Sequence, residues 1–135
     1  FIHDLDWMMV TSQRYLNVHF SLFGIYFANL PDLAELFNHA RLLQMLESFA
    51  QRLRSLLRTP DLSTRTSENM LWLLLPNTDE QGLNGFQKRI ESSMKMLLEE
   101  SEHKLDFRFI GISSRNISGK ENAQLLLARL AGELL

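Results

Sequence analysis

The chain has 135 residues, 45% hydrophobic and 22% charged, enough for one cored domain and too apolar for a disordered or collagen-like chain. Lys and Arg number 14 against 16 Asp and Glu, a formal net charge of -2, so no overall positive field argues for a polynucleotide partner. The absence of Cys excludes disulfide scaffolds, thiol catalysis and Cys-ligated metals, and the four His form no HExxH or other close ligand cluster.

Residues 1–17 read as a linker or short amphipathic helix, with Trp7, Met8 and Met9 packing on a sheet or marking a subunit contact. The start at Phe1 is that expected of a fragment or excised domain, and no secretory leader follows it. No apolar run approaches the roughly 18 residues that span a bilayer, so membrane contact is expected only through parts of a parent protein outside this sequence. Val18 to Phe27 (VHFSLFGIYF) is apolar at most positions, which suits a strand buried on both faces. Asn29-Leu30-Pro31-Asp32, with Glu35 soon after, is a helix start. Leu42, Leu46, Phe49, Leu53 and Leu57 then recur every three or four residues, an amphipathic helix that Thr59-Pro60 ends.

Asp61 to Asn69 is polar and turn-like, and Met70 to Pro76 (MLWLLLP) is a short continuous strand with Trp72 in its core. Asn77-Thr78-Asp79-Glu80 opens a helix whose apolar stripe is Leu83, Phe86, Ile90, Met94 and Leu97. Leu105 to Ile112 is a strand, Ser113 to Gly119 a loop, and Glu121 to Leu135 a final helix. Helices alternating with buried strands give an α/β (α+β) domain, a central sheet flanked by helices. The periodicity leaves strand direction open, because a hairpin between Arg65 and Pro76 is compatible with it.

Arg58-Thr59-Pro60-Asp61 places opposite charges three residues apart where a helix ends. One reading is a helix-terminal ion pair or cap. The other is a receptor corner. There Arg58 presents a planar fork to a guanine edge or a phosphate, and Asp61 accepts protons from guanine N1 and its amino group. Arg89, on the next helix, supplies a second cation or is simply solvated beside an apolar stripe.

RTSENMLWLLLP (Arg65 to Pro76) resembles the signature of GGDEF diguanylate cyclase domains, with the five signature positions at Ser67, Glu68, Asn69, Met70 and Leu71. Upstream, QRLRSLLRTPD (Gln51 to Asp61) resembles that family's helix and RxxD inhibitory site. His19 to His39 resembles its first strand and helix, and Ile110-Gly111 its late strand. Ser12, Gln13 and Arg14 stand where an Asn-Arg-Arg start is usual. The resemblance implies a mainly antiparallel GGDEF-like sheet over residues 18–135. It also implies loss of the cyclase chemistry. Tyr26 stands for the first-strand metal Asp, and Asn69 and Met70 for the signature acids, so the carboxylates that would hold Mg²⁺ are missing. Ser67 and Glu68 replace the Gly-Gly turn, and Ala34 and Leu43 the guanine-reading Asn and Asp.

The resemblance leaves an inhibitory-type site of Arg58, Asp61 and Arg89, with Asp32, Arg54 and Arg65 as lesser candidates. It extends to the GGDEF domain of PelD-like proteins, membrane-anchored receptors that control exopolysaccharide secretion. The expectation is a catalytically inactive receptor for cyclic di-GMP, with no metal and no other cofactor. It would be the cytoplasmic domain of an inner-membrane-anchored parent, its signal passed by domain or subunit packing. The alternative is a protein-interaction or dimerisation domain that binds no nucleotide, with a homodimer or a partner protein both open.

Overall fold

The computed structural model describes residues 1–28, 39–67, 69–100 and 106–134. The helix start expected at residues 29–32, with Asp32, Ala34 and Glu35, lies outside them, as does Glu68. The elements run α1 (Ile2–Arg14), β1 (Phe20–Phe27), α2 (His39–Leu56), β2 (Leu62–Ser67), β3 (Met70–Pro76), α3 (Glu80–Glu100), β4 (Phe107–Ser113) and α4 (Ala123–Leu134), with a 3₁₀ turn, Ser114–Asn116, after β4. From β1 to β4 this is a β-α-β-β-α-β chain. Its four strands form one sheet in the order β2-β3-β1-β4, every neighbouring pair antiparallel.

The period-two alternation of the strands sorts the core into two layers. On one face Phe23, Ile25, Phe27, Leu73 and Leu75 meet Phe49 and Leu53 of α2 and Leu83, Phe86, Ile90 and Met94 of α3. Phe23, Phe27, Phe49, Phe107 and Phe109 interlock there as edge-on and stacked rings 4.9–6.5 Å apart. On the other face Phe20, Leu22, Met70, Trp72 and Leu74 meet Leu5 and Met9 of α1 and Ala123, Leu126, Leu127, Leu130 and Leu134 of α4. Helix α1 is therefore part of the second core layer. The Asp6 carboxylate accepts the Ala123 N–H at 2.7 Å and fixes α1 to the start of α4. Trp72 lies in the core as its strand context implies, and Gly24 opposite it has no room for a side chain: a Cβ there would stand 2.5 Å from the indole.

Two expectations are corrected. The polar run after Asp61 is a strand, β2, and not a turn; it is an exposed edge strand paired on one side only, so it needs no apolar alternation. Trp7 does not pack on the sheet: its side chain points to solvent, while Leu5 and Met9 fill the core. Smaller differences are end effects: β1 begins at Phe20 rather than Val18, and β4 runs through Ser113.

Candidate functional site

Antiparallel pairing sets the start of β1 beside the end of β3, with Phe20 opposite Pro76. At that end of the sheet the chain leaves β3 through Asn77, which adopts the left-handed conformation (φ 52°) that asparagine tolerates, its N–H bonded to the His19 carbonyl at 2.9 Å. Asp79 then caps α3, its carboxylate accepting the Gly82 N–H at 2.9 Å. Thr78 is held inward between them, its carbonyl accepting the Ser21 hydroxyl at 2.8 Å. The turn from α2 into β2 arrives on top of this loop and carries Arg58 and Asp61.

The Arg58 side chain bridges the two segments. Its Nη2 donates to Asp61 Oδ1 (3.0 Å), to the Pro76 carbonyl (2.6 Å) and to Thr78 Oγ1 (2.9 Å). Asp61 Oδ2 accepts the Arg58 backbone N–H at 2.7 Å and Nε at 3.4 Å. The two side chains differ in access: Arg58 is 50% exposed and Asp61 2%. The expected open corner is thus present at Arg58 and absent at Asp61. Both Asp61 oxygens are already occupied by Arg58, so the carboxylate orients the guanidinium and does not face solvent. Arg58 Nη1 makes no hydrogen bond among the described residues, which leaves one edge of the fork directed outward.

Arg58 opens onto a cleft of about 520 Å³ between the α2–β2 turn and the first turns of α3. His19, Thr78, Gly82, Gly85 and Phe86 line it, and Arg89 lies on its α3 side, its guanidinium carbon 5.9 Å from the centre of the Phe86 ring. Arg58 and Asp61 from the α2–β2 turn and Arg89 from α3 therefore share one cleft. Of the partners that hold Arg58, Asp61 was visible in the sequence and the other two were not. Pro76 and Thr78 lie 18 and 20 residues from it, and the segment around them reads only as a helix start.

The positions that resemble the metal carboxylates also come together, at the opposite end of the same strand pair. Tyr26 pairs with Met70, and the Phe27 N–H donates to the Asn69 carbonyl at 2.9 Å. A phenol, an amide and a thioether do not make the hard carboxylate set that Mg²⁺ requires, so these residues do not fit that ion. Among the described residues no group of three or more His, Asp or Glu is placed to hold a metal. Arg54 and Arg65 belong to this end. They line a smaller cavity of about 290 Å³ floored by Phe27, Phe49, Leu53 and Leu71, not the Arg58 cleft. Arg108 and Arg115 donate to the Leu134 and Leu16 carbonyls.

This sheet order with helices on both faces is that of GGDEF domains. The fold is similar to the active GGEEF domain of a diguanylate cyclase from Vibrio cholerae (TM-score 0.78, 18% identity, covering 98% of this chain and 84% of that one). It is also similar to the GGDEF domain of DgcB from Caulobacter crescentus solved in complex with c-di-GMP (TM-score 0.74, 10% identity, 98% and 78%). It also matches the diguanylate cyclase SiaD of Pseudomonas aeruginosa, solved with its activator SiaC (TM-score 0.77, 19% identity, 98% and 51%), of which this chain spans about half. Within that fold class the chain belongs to the PelD GGDEF domain family, whose model matches residues 34–133. No curated protein sequence matches it. Among the described residues, no helix is long and apolar enough to cross a membrane.

Proposed function

We propose that this domain is a non-catalytic receptor for cyclic di-GMP that binds the dinucleotide in the Arg58–Arg89 cleft. The observation that carries the reading is the state of Arg58. Its inner edge is fixed by Asp61, Pro76 and Thr78, and its outer edge points into a cleft shared with a second arginine. An oriented guanidinium can donate to a guanine edge or a phosphate without first losing its rotamer freedom, and its planar face can stack on a base. Arg89 adds a second cation for the other phosphate or base. Asp61 acts as a positioning residue; to read guanine itself it would have to give up its bonds to Arg58. The complex of the similar DgcB domain with c-di-GMP supports the ligand class.

The inactive half of the reading rests on Tyr26, Asn69 and Met70 standing where the family holds its acids. Family membership supports a role in exopolysaccharide secretion, with the domain on the cytoplasmic side of an inner-membrane-anchored parent. The engagement of Asp61 favours one alternative, a domain that has kept the ion pair for structure and binds only protein.

Isothermal titration with cyclic di-GMP separates the two. Binding in the micromolar range that Arg58→Ala abolishes, with GTP and Mg²⁺ giving neither binding nor product, supports the receptor. Absence of heat in the folded wild-type protein would leave the interaction domain, and turnover of GTP would overturn the non-catalytic reading.

A further inference from the structure

The cavity at the Tyr26–Met70 end differs from the Arg58 cleft in what its walls contain. It encloses about 290 Å³ between α2 and the β2–β3 pair, and its floor is the apolar layer of Phe27, Phe49, Leu53 and Leu71. Arg54 and Arg65 stand on its rim. No Asp or Glu lines it, whereas the Arg58 cleft has Asp61 and Asp79 in its walls. The two arginines come from opposite walls. Arg54 belongs to α2, and Arg65 pairs with Leu71 across β2 and β3, so its side chain stands on the sheet face that α2 covers. Each guanidinium is anchored through Nε to a backbone carbonyl, Arg54 to Ala50 and Arg65 to Ser67, both at 3.2 Å. The Nη groups of Arg54 make no hydrogen bond among the described residues.

We propose that this cavity binds a small amphipathic anion, a monocarboxylate whose apolar body lies on Phe27, Phe49 and Leu71 and whose head is taken by Arg54 and Arg65. A volume of about 290 Å³ holds about ten water-sized groups, the size of a medium-length acyl chain. The apolar floor favours burial of such a body, and the rim arginines select a charged head over a neutral one. A nucleotide fits poorly, because the polar edge of its base would meet phenylalanine and leucine and lose its hydrogen bonds to water. The cavity shares no lining residue with the Arg58 cleft, so the proposal does not rest on cyclic di-GMP binding there.

Amide nuclear magnetic resonance of the isotope-labelled protein, titrated with octanoate and in parallel with octan-1-ol, carries the test. The two probes share an apolar chain and differ in the charge of the head. Octanoate should give saturable shifts that cluster on Leu53, Ser63 and Leu71 and spare Gly82 and Gly85 of the cleft. Octan-1-ol should bind the same residues about tenfold more weakly. Arg54→Gln and Arg65→Gln should each weaken octanoate about threefold to tenfold, leaving octan-1-ol affinity, far-ultraviolet circular dichroism and cyclic di-GMP titration unchanged. Ala50→Leu, which fills the cavity from α2, should abolish binding of both probes. Absence of saturable shifts up to about 10 mM octanoate in the folded wild-type protein would overturn the proposal. Equal affinity for the alcohol would do the same, as would octanoate binding that neither arginine variant weakens. Displacement of octanoate by GTP, with the same amides shifting, would assign the cavity to a nucleotide instead.

Discussion

The two ends of the β1–β3 pair are built from the same strands and carry opposite chemistry. At the Phe20–Pro76 end, polar groups converge: the Ser21 hydroxyl, the Thr78 carbonyl and hydroxyl, and the Arg58–Asp61 pair form one connected hydrogen-bond network beside an open cleft. At the Tyr26–Met70 end the strand-pair positions are apolar or neutral, and the cavity there, though rimmed by Arg54 and Arg65, is floored by Phe27, Phe49, Leu53 and Leu71. The same framework therefore presents a connected polar network at one end and an apolar floor at the other. At the polar end the charged group is held in place by the loop leaving β3. Oriented donors beside an open volume are what ligand recognition needs, whereas an apolar end supplies burial.

The largest expected effect comes from the residue between the ends. Trp72 pairs with Gly24 at the middle of β3, fully buried under α1 and α4. Trp72→Ala should cost about 3–5 kcal/mol of unfolding free energy, read from urea midpoints at constant m. Both ends should fail together, because their geometry hangs on the same strand pair. Retained ligand binding in a Trp72→Ala protein of unchanged stability would break the view that the core holds the cleft in shape.

Next in size is Arg58→Ala, which should strike one end only. Loss of its charge-assisted bonds should weaken cyclic di-GMP binding by about a hundredfold or more by titration calorimetry. The unfolding free energy should fall by no more than about 1 kcal/mol. Half of the Arg58 side chain is in water, so its truncation opens Asp61 to solvent, and Asp61 keeps the Arg58 backbone N–H, which together compensate the carboxylate. Asn69→Ala, at the opposite end, should leave affinity unchanged. An equal loss from Asn69→Ala would erase the difference between the ends.

The backbone of this comparison was readable in the sequence, and its side-chain wiring was not. Strands β1 and β3 announce themselves as continuous apolar runs, and α2 and α3 as stripes ending at Pro60 and opening at Asp79, because burial on a sheet forces those patterns. The edge strand β2 (LSTRTS) escaped because an edge exposed to water imposes no apolar alternation. Arg58, Asp61 and Arg89 were legible as a motif and a nearby cation. The Arg58–Asp61 ion pair was legible as one of two readings, but the reach of Arg58 to Pro76 and Thr78 was not, since it depends on how closely the α2–β2 turn sits on Thr78. Helix α1 was equally ambiguous. Trp7 and Met9 are both apolar, and only the helix's orientation on the sheet decides which of them enters the core.

Asp61→Asn sharpens the division of labour inside the polar end. The substitution keeps the shape of the side chain and removes the charge that aligns Arg58. Affinity should drop about tenfold, with a stability loss of about 1 kcal/mol, because a nearly buried acceptor of charge-assisted bonds becomes a neutral one. If Asp61 read the ligand directly instead of positioning Arg58, the variant would lose as much affinity as Arg58→Ala, and the Arg58→Ala/Asp61→Asn double variant would show which description holds.

The smallest effect lies on the far face of the sheet and tests whether the cleft is insulated from it. Arg129 on α4 donates to both Glu121 oxygens, at 2.9 and 3.0 Å, and holds that carboxyl below its ordinary pKa; the same contact raises the Arg129 guanidinium above its own. A carboxyl depressed in the folded state contributes stability that is complete above its unfolded pKa and is lost as pH falls through the lower folded value. The wild-type protein should therefore melt slightly above Glu121→Gln at neutral pH, and the gap should close on acidification. Scanning calorimetry of the two proteins in parallel isolates this pair from the other carboxylates. Cyclic di-GMP affinity should be the same in both proteins at neutral pH, since Glu121 is not among the groups lining the Arg58 cleft. A gap that widened in acid would reverse the assigned sign. An affinity that followed Glu121 would show that α4 and the cleft are coupled through the sheet, which their separate core layers argue against.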